Sequence, residues 1–142
     1  MMQYYAKIKK QKDKSYLVEF PGLPGCLTEG KSLEVAKKNA KEALNGWIAA
    51  RCDRSLNIPT SRKRTGKGYY TVSVEMQIEF AIRLRQFRKM KGLSQSQVAT
   101  RLGISQQAYA KLEMPLKTNP SLRTIQKISA ALDAHIDIRL VA

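Results

Sequence analysis

The spacing of apolar residues changes once along the chain, from a period of two in the first half to a helical period in the second. Residues Gln3 to Lys10 alternate loosely, with β-prone Tyr4 and Tyr5. SYLVEF, from Ser15 to Phe20, puts Tyr16, Val18 and Phe20 on one face and Leu17 and Glu19 on the other. The pattern predicts two strands joined by a hairpin turn at QKDK. Pro21-Gly22 and Pro24-Gly25 each suit the central pair of a type II turn, because proline presets the first φ and glycine accepts the positive second one. Cys26 to Glu29 is expected to form a short third strand before Gly30 releases the chain.

Ser32 is the expected N-cap of a helix whose apolar stripe is Leu33, Ala36, Ala40, Ala43, Leu44, Trp47 and Ile48. Lys37, Lys38, Lys41 and Glu42 take the opposite side, and Trp47 is assigned to the core. From Arg54 to Gly68 the periodicity is lost, and a basic run, Arg62-Lys63-Arg64, lies in what reads as a linker or loop. YYTVSV, Tyr69 to Val74, alternates again and returns to the sheet. The predicted order is β-β-β-α-β, an antiparallel-rich sheet covered on one face by a helix.

From Ile78 the helical period predicts a helix to about Lys91, ended by Gly92. In LSQSQVATRLGISQQAYAKLE, residues 93 to 113, Ser94 and Gln97 have capping-box spacing. Gly103 stands where a tight inter-helix turn needs a positive φ, and Ser105 caps the next helix, with Tyr109 and Leu112 facing inward. This is the helix-turn-helix pattern. Its second helix would present Gln106 and Gln107 to base edges in a major groove, where side-chain amides pair with adenine. Lys111 would reach a guanine or a phosphate, Gln95 a phosphate at a helix N-terminus, and Lys117, Thr118 and Asn119 a second phosphate. The last residues, AHIDIRLVA, alternate with Ile136, Ile138 and Leu140 on one face and His135, Asp137 and Arg139 on the other. A terminal strand with no partner in a helical unit predicts pairing with a second chain.

The fold class expected is thus α+β: a small sheet domain over residues 1–76, with the loop 54–68 inside it, and a helix-turn-helix domain with a dimerisation strand over residues 77–142. Composition narrows the partners. A formal net charge of +15 favours polyanions, nucleic acid before membrane. The chain has no apolar run long enough to span a bilayer and no signal-peptide segment at its start, so a cytoplasmic protein is expected. Cys26 and Cys52 lack CxxC spacing and a nearby histidine, so no metal site or other cofactor is expected.

Two stretches carry a family resemblance. SYLVEFPGLPGCLTEG, the capped helix with AKKNAKEAL, and the following IP resemble the N-terminal domain of HicB-type antitoxins, over roughly residues 3 to 75. That resemblance implies a partial ribonuclease H-like fold. Val35 stands where the family often has the glutamate of a capping box. Residues Leu84 to Leu132 resemble the phage-repressor-like (XRE) helix-turn-helix family, in which the basic residue matching Arg88 commonly pairs with the glutamate matching Glu113. Two departures are Tyr109, where an aliphatic residue is usual, and MPLKTN in place of a glycine-containing loop. Helix-turn-helix HicB antitoxins are also similar in ending with a strand.

A ribonuclease H-like fold invites a search for nuclease chemistry, which needs several carboxylates converging on metal ions. Asp13, Glu34, Glu42, Asp53 and Glu75 are scattered, only Glu19 and Glu29 could share a sheet face, and His135 has no evident partner, so no catalytic residue is assigned. The resemblance instead implies an antitoxin that binds a HicA-like, mRNA-cleaving toxin and represses its own operon on double-stranded operator DNA, as a homodimer or a higher even oligomer. Toxins of this kind are generally basic, yet residues 1–76 carry 15 basic and 7 acidic side chains, and residues 77–142 carry 11 and 4. Toxin contact would then rest on apolar surface or on a local acidic patch at Glu19 and Glu29. The alternative is a helix-turn-helix regulator whose N-terminal domain senses a ligand or mediates oligomerisation.

Overall fold

The structure is a computed structural model that describes residues 1–142. It divides into two compact units, Met1–Glu79 and Phe80–Ala142.

In the first unit, strands β1 (Gln3–Lys10), β2 (Tyr16–Glu19), β3 (Leu27–Gly30) and β4 (Tyr69–Ser73) form one sheet in the order β3-β2-β1-β4. Every pairing is antiparallel, with Ile8 opposite Val18, Tyr4 opposite Val72 and Leu17 opposite Glu29. The hairpin between β1 and β2 is tied by Asp13, whose carboxylate accepts from the Ser15 backbone N–H and hydroxyl at 3.0 and 2.6 Å. The two Pro-Gly pairs form consecutive turns, closed by Leu23 N to Phe20 O and by Cys26 N to Leu23 O, both 3.0 Å. Gly22 and Gly25 have φ of 90° and 79°, as type II turns require.

Helix α1 (Leu33–Asp53) starts at Ser32, whose hydroxyl accepts from Val35 N at 3.2 Å. It covers the sheet face formed by Tyr4, Ala6, Ile8, Val18 and Val72, and buries Ala36, Ala40, Leu44 and Ile48. The alanines let helix and sheet approach closely. At Gly30 the approach is closest: a Cβ there would lie 2.4 Å from Ala36 N, so β3 can end beneath α1 only without a side chain. Trp47 is half-buried on this helix and donates to Pro24 O at 3.0 Å, tying the helix to the second turn. Asn45, buried in the apolar stripe, donates to Lys41 O and accepts from Glu75 N, at 2.9 and 2.8 Å, fixing the chain as it leaves β4. Cys26 and Cys52 are buried and form no disulfide, and burial pushes the Cys26 thiol up to about 11.

Helix α2 (Met76–Met90) follows, and the second unit begins within it at Phe80. The remaining helices are α3 (Gln95–Leu102), α4 (Gln106–Leu112) and α5 (Leu122–Leu132). Leu84, Val98, Ala99, Tyr109, Ile128 and Leu132 form the core of this unit. Serines 94, 105 and 121 cap α3, α4 and α5, and Ser94 with Gln97 makes the reciprocal capping box.

The expected terminal strand depends on a second chain. Residues 134–142 form no strand in the single chain. The segment is held to α5 by Ala134 N to Ser129 O at 2.9 Å, and Ile136 packs against the helical core. Beyond it Ile138 is 62% exposed and Leu140 fully so. A strand needs a ladder partner, and a helical unit offers none.

Candidate nucleic-acid interface

The geometry of α4 follows from how its two ends are made. Before it, Gly103 adopts the left-handed conformation at φ 68°, and Ile104 N bonds back to Ala99 O at 3.0 Å, which turns the chain sharply out of α3. The Ser105 hydroxyl then accepts from Ala108 N at 3.1 Å. Gln106 and Gln107 occupy the first turn, exposed, with Lys111 exposed farther along. All three have their polar ends free for a ligand.

After α4, Glu113 is the C-cap and the centre of a buried network. Its Oε1 accepts from Arg88 Nε and from the Tyr109 hydroxyl, the latter at 2.8 Å. Its Oε2 accepts from Arg88 Nη2 and from Gln95 Nε2, both at 3.0 Å. Arg88 also donates to Leu93 O at 2.7 Å, so one guanidinium joins α2, the start of α3 and the end of α4. Tyr109 is fully buried and its hydroxyl finds its partner one turn along its own helix. Burial pushes the Glu113 carboxyl up, but hydrogen bonds from Arg88, Gln95 and Tyr109 outweigh it and hold the group below the usual carboxylate value. The Tyr109 phenol is pushed up by burial and then by the adjoining carboxylate. The hydrogen bond that Arg88 donates to Glu113 raises its guanidinium above the ordinary arginine value.

The other residues singled out in the sequence are placed as follows. Gln95 is half-buried and spends one amide N–H on Glu113, leaving the second N–H free to donate. Lys117 and Asn119 are exposed. Thr118 is not: it is 1% exposed, and its hydroxyl lacks a hydrogen-bond partner. Both Lys117 N and Thr118 N donate to Met114 O, closing a turn that carries the Thr118 side chain inward, so a phosphate contact from this hydroxyl is ruled out in this conformation. In the first unit, the register sets Glu19 opposite Leu27 and Leu17 opposite Glu29, so both glutamates lie on the sheet face away from α1. Both are exposed, as is Leu27. No group of three or more His, Cys, Asp or Glu side chains is arranged to hold a metal ion. No helix is long and apolar enough to cross a membrane.

Comparison with known proteins assigns the two halves separately. The family model for the HicB-like antitoxin of bacterial toxin–antitoxin systems matches residues 4–81. The chain belongs to the HicB-like antitoxin family. A helix-turn-helix model matches residues 84–138, so this antitoxin-family chain carries a helix-turn-helix after its HicB-like part. Among curated relatives, Antitoxin HicB 1 of Photorhabdus laumondii is 24% identical over 139 residues, 98% of this chain and 87% of that protein. The HTH-type transcriptional regulator SinR of Bacillus subtilis is 39% identical over 54 residues, 38% of this chain and 49% of the regulator. The chain thus spans about half the length of that regulator. The crystal structure of the N-terminal domain of Burkholderia pseudomallei antitoxin HicB covers 53% of this chain and 100% of its own, at 21% identity and a TM-score of 0.47. The relatives named are antitoxins and transcriptional regulators rather than enzymes.

Sequence reasoning missed two groups. Asn45 was hidden in an apolar stripe, where a polar residue at a core position is the only signal. The arginines Arg62 and Arg64 were read as part of a linker, though both line a pocket of the first unit.

Proposed function

We propose that this chain is the antitoxin of a HicA/HicB-like system, with toxin binding in the first unit and operator binding in the second. The observation that carries the reading is the presence, in one chain, of a HicB-like unit and a helix-turn-helix whose second helix exposes Gln106 and Gln107. The toxin partner would be a small HicA-like ribonuclease that cuts mRNA. It docks on the open sheet face, where Glu19, Glu29 and the exposed Leu27 lie together. A basic protein would meet two carboxylates and an apolar side chain there, beside Lys7 and Lys9, which the register sets on the same face.

The second unit binds double-stranded operator DNA through Gln106 and Gln107 at base edges, with Lys111, Lys117, Asn119 and the free N–H of Gln95 on phosphates. Two copies pair through residues 134–142, which supplies the ladder partner that the single chain lacks and covers Ile138 and Leu140. The dimer then represses its own operon. The first unit contributes no catalysis: it would cover the toxin without cutting RNA itself. The protein acts in the cytoplasm in this reading.

Co-expression with the product of the neighbouring small gene, followed by capture of the full-length chain, tests the toxin half. Co-purification of a small basic protein supports it, and an antitoxin that emerges alone under those conditions refutes it. The match to SinR favours one second reading, a regulator whose first unit senses a ligand or assembles oligomers. That reading predicts operator binding that no neighbouring gene product alters.

A further inference from the structure

The first unit contains a pocket of about 380 Å³ that neither toxin nor operator binding uses. Its walls combine Tyr4 and Tyr5 of β1 and Phe20, just after β2, with Ser61, Arg62 and Arg64 from the loop between α1 and β4. Tyr4 and Phe20 are buried, and Tyr5 is half-buried. The loop is fastened where it crosses: the Tyr4 hydroxyl donates to Pro59 O at 2.7 Å, and Arg51 Nε donates to Asn57 O at 2.8 Å. The run Arg62-Lys63-Arg64 splits by direction. Arg62 and Arg64 both line the pocket, and Lys63 between them does not.

The charge is uncompensated. No aspartate or glutamate lines the pocket, and neither guanidinium is ion-paired. Two planar five-donor groups beside the hydroxyls of Thr60 and Ser61 make a wall made for accepting an anion, and guanidinium forks match phosphate oxygens in pairs. A bare phosphate would leave most of the volume and all of the aromatic wall unused. The size lies within the roughly 300–1,000 Å³ of small-molecule sites. A ring carried by the same ligand would lie against Tyr5, since bases stack on aromatic side chains whatever their sequence.

We infer that this pocket binds a nucleotide through its phosphate, held by Arg62 and Arg64, with the base against Tyr5. The site stands on the first unit's own geometry and does not depend on the antitoxin reading. A free nucleotide and the phosphorylated end of an RNA strand share this chemistry, and the experiment separates them.

Calorimetry on the full-length chain at physiological ionic strength uses adenosine monophosphate, inorganic phosphate, and a short RNA oligonucleotide with a terminal phosphate. Saturable binding to one site per chain is expected for the mononucleotide or the oligonucleotide, and the tighter of the two names the source. Removal of one charge-assisted contact in Arg64→Ala is expected to weaken it about tenfold or more. Arg62→Ala, at an exposed position, is the second variant and should behave alike, and Tyr5→Leu should weaken the nucleotide more than inorganic phosphate. Lys127→Ala, an exposed charge in the second unit, should change nothing. The inference is overturned by no saturable binding of either probe, by Lys127→Ala costing as much as Arg64→Ala, or by inorganic phosphate binding as well as the nucleotide.

Discussion

Replacing Glu113 with glutamine keeps the shape of the side chain and removes its charge, and the structure sets the size of the effect. Four donors converge on the carboxylate: Arg88 Nε and the Tyr109 hydroxyl on Oε1, Arg88 Nη2 and Gln95 Nε2 on Oε2. An amide has one oxygen, so in either orientation its NH₂ faces an Arg88 N–H, which can only donate, and that hydrogen bond is lost. Each buried group left unsatisfied costs about 1–3 kcal/mol. The Arg88 side chain is only 10% exposed, so its charge also loses its counter-ion out of reach of bulk water. Breaking a buried pair in this way costs about 3–5 kcal/mol. A unit spanning Phe80–Ala142 is stable by roughly 3–9 kcal/mol at about 0.05–0.15 kcal/mol per residue. Glu113→Gln should therefore bring the helical unit close to unfolding at room temperature. Urea unfolding followed by far-ultraviolet circular dichroism measures the loss. The single tryptophan, Trp47, belongs to the first unit, so its fluorescence serves as the internal control and should not move. Adding Arg88→Met to Glu113→Gln removes the stranded charge and should recover most of the stability. A single variant that loses less than about 1 kcal/mol, or a double variant no better than the single, would refute the reasoning.

The same carboxylate makes the helical unit acid-sensitive. Its folded value lies below the ordinary glutamate value, so its contribution is complete above the ordinary value and is lost as pH falls through the lowered one. Acid titration of the wild type should show this step, and Glu113→Gln should lack it. Changing Gln107 to alanine should cost ~1–3 kcal/mol on operator DNA and little on random DNA, as read by gel shift. Lys117→Ala should weaken both and lower the salt slope by about one. Ile138→Asp should give monomers in analytical sedimentation, and a persistent dimer would place the contact elsewhere. A fragment ending at Glu79 should fold and bind toxin without binding operator, whereas one ending at Met76 should be less stable, because Met2 N donates to the Glu79 carboxylate at 2.9 Å. Thermal melts of the two fragments compare them directly.

Much of this molecule is written locally. The alternation of SYLVEF, the two Pro-Gly turns, the serine caps at Ser32, Ser94 and Ser105 and the left-handed Gly103 each depend on residues within a few positions, and each took its expected form. What stayed hidden depends on distant partners. Leu27–Gly30 rather than Cys26–Glu29 makes the third strand because pairing with β2 fixes the register. Gln95 meets Glu113 across 18 positions, and Tyr4 meets Pro59 across 55, so neither the engaged amide nor the pocket could be read from spacing. The burial of Thr118 follows from a turn closed on Met114, which composition does not signal. The terminal segment alternates as a strand should, but the chain itself offers it no ladder partner.

Helix α4 has only seven residues, and they divide cleanly. Tyr109 is buried and Ala110 and Leu112 are half-buried, while Gln106, Gln107, Ala108 and Lys111 face outward. The network at Glu113 touches none of the outward four. Anchoring and display are therefore carried by separate letters of one short word. A duplicated copy of this chain could exchange its outward residues and address a different target while every contact that fixes the helix stays intact. Insulation between sister systems in one genome would then need changes at only a few surface positions, with no intermediate that fails to fold.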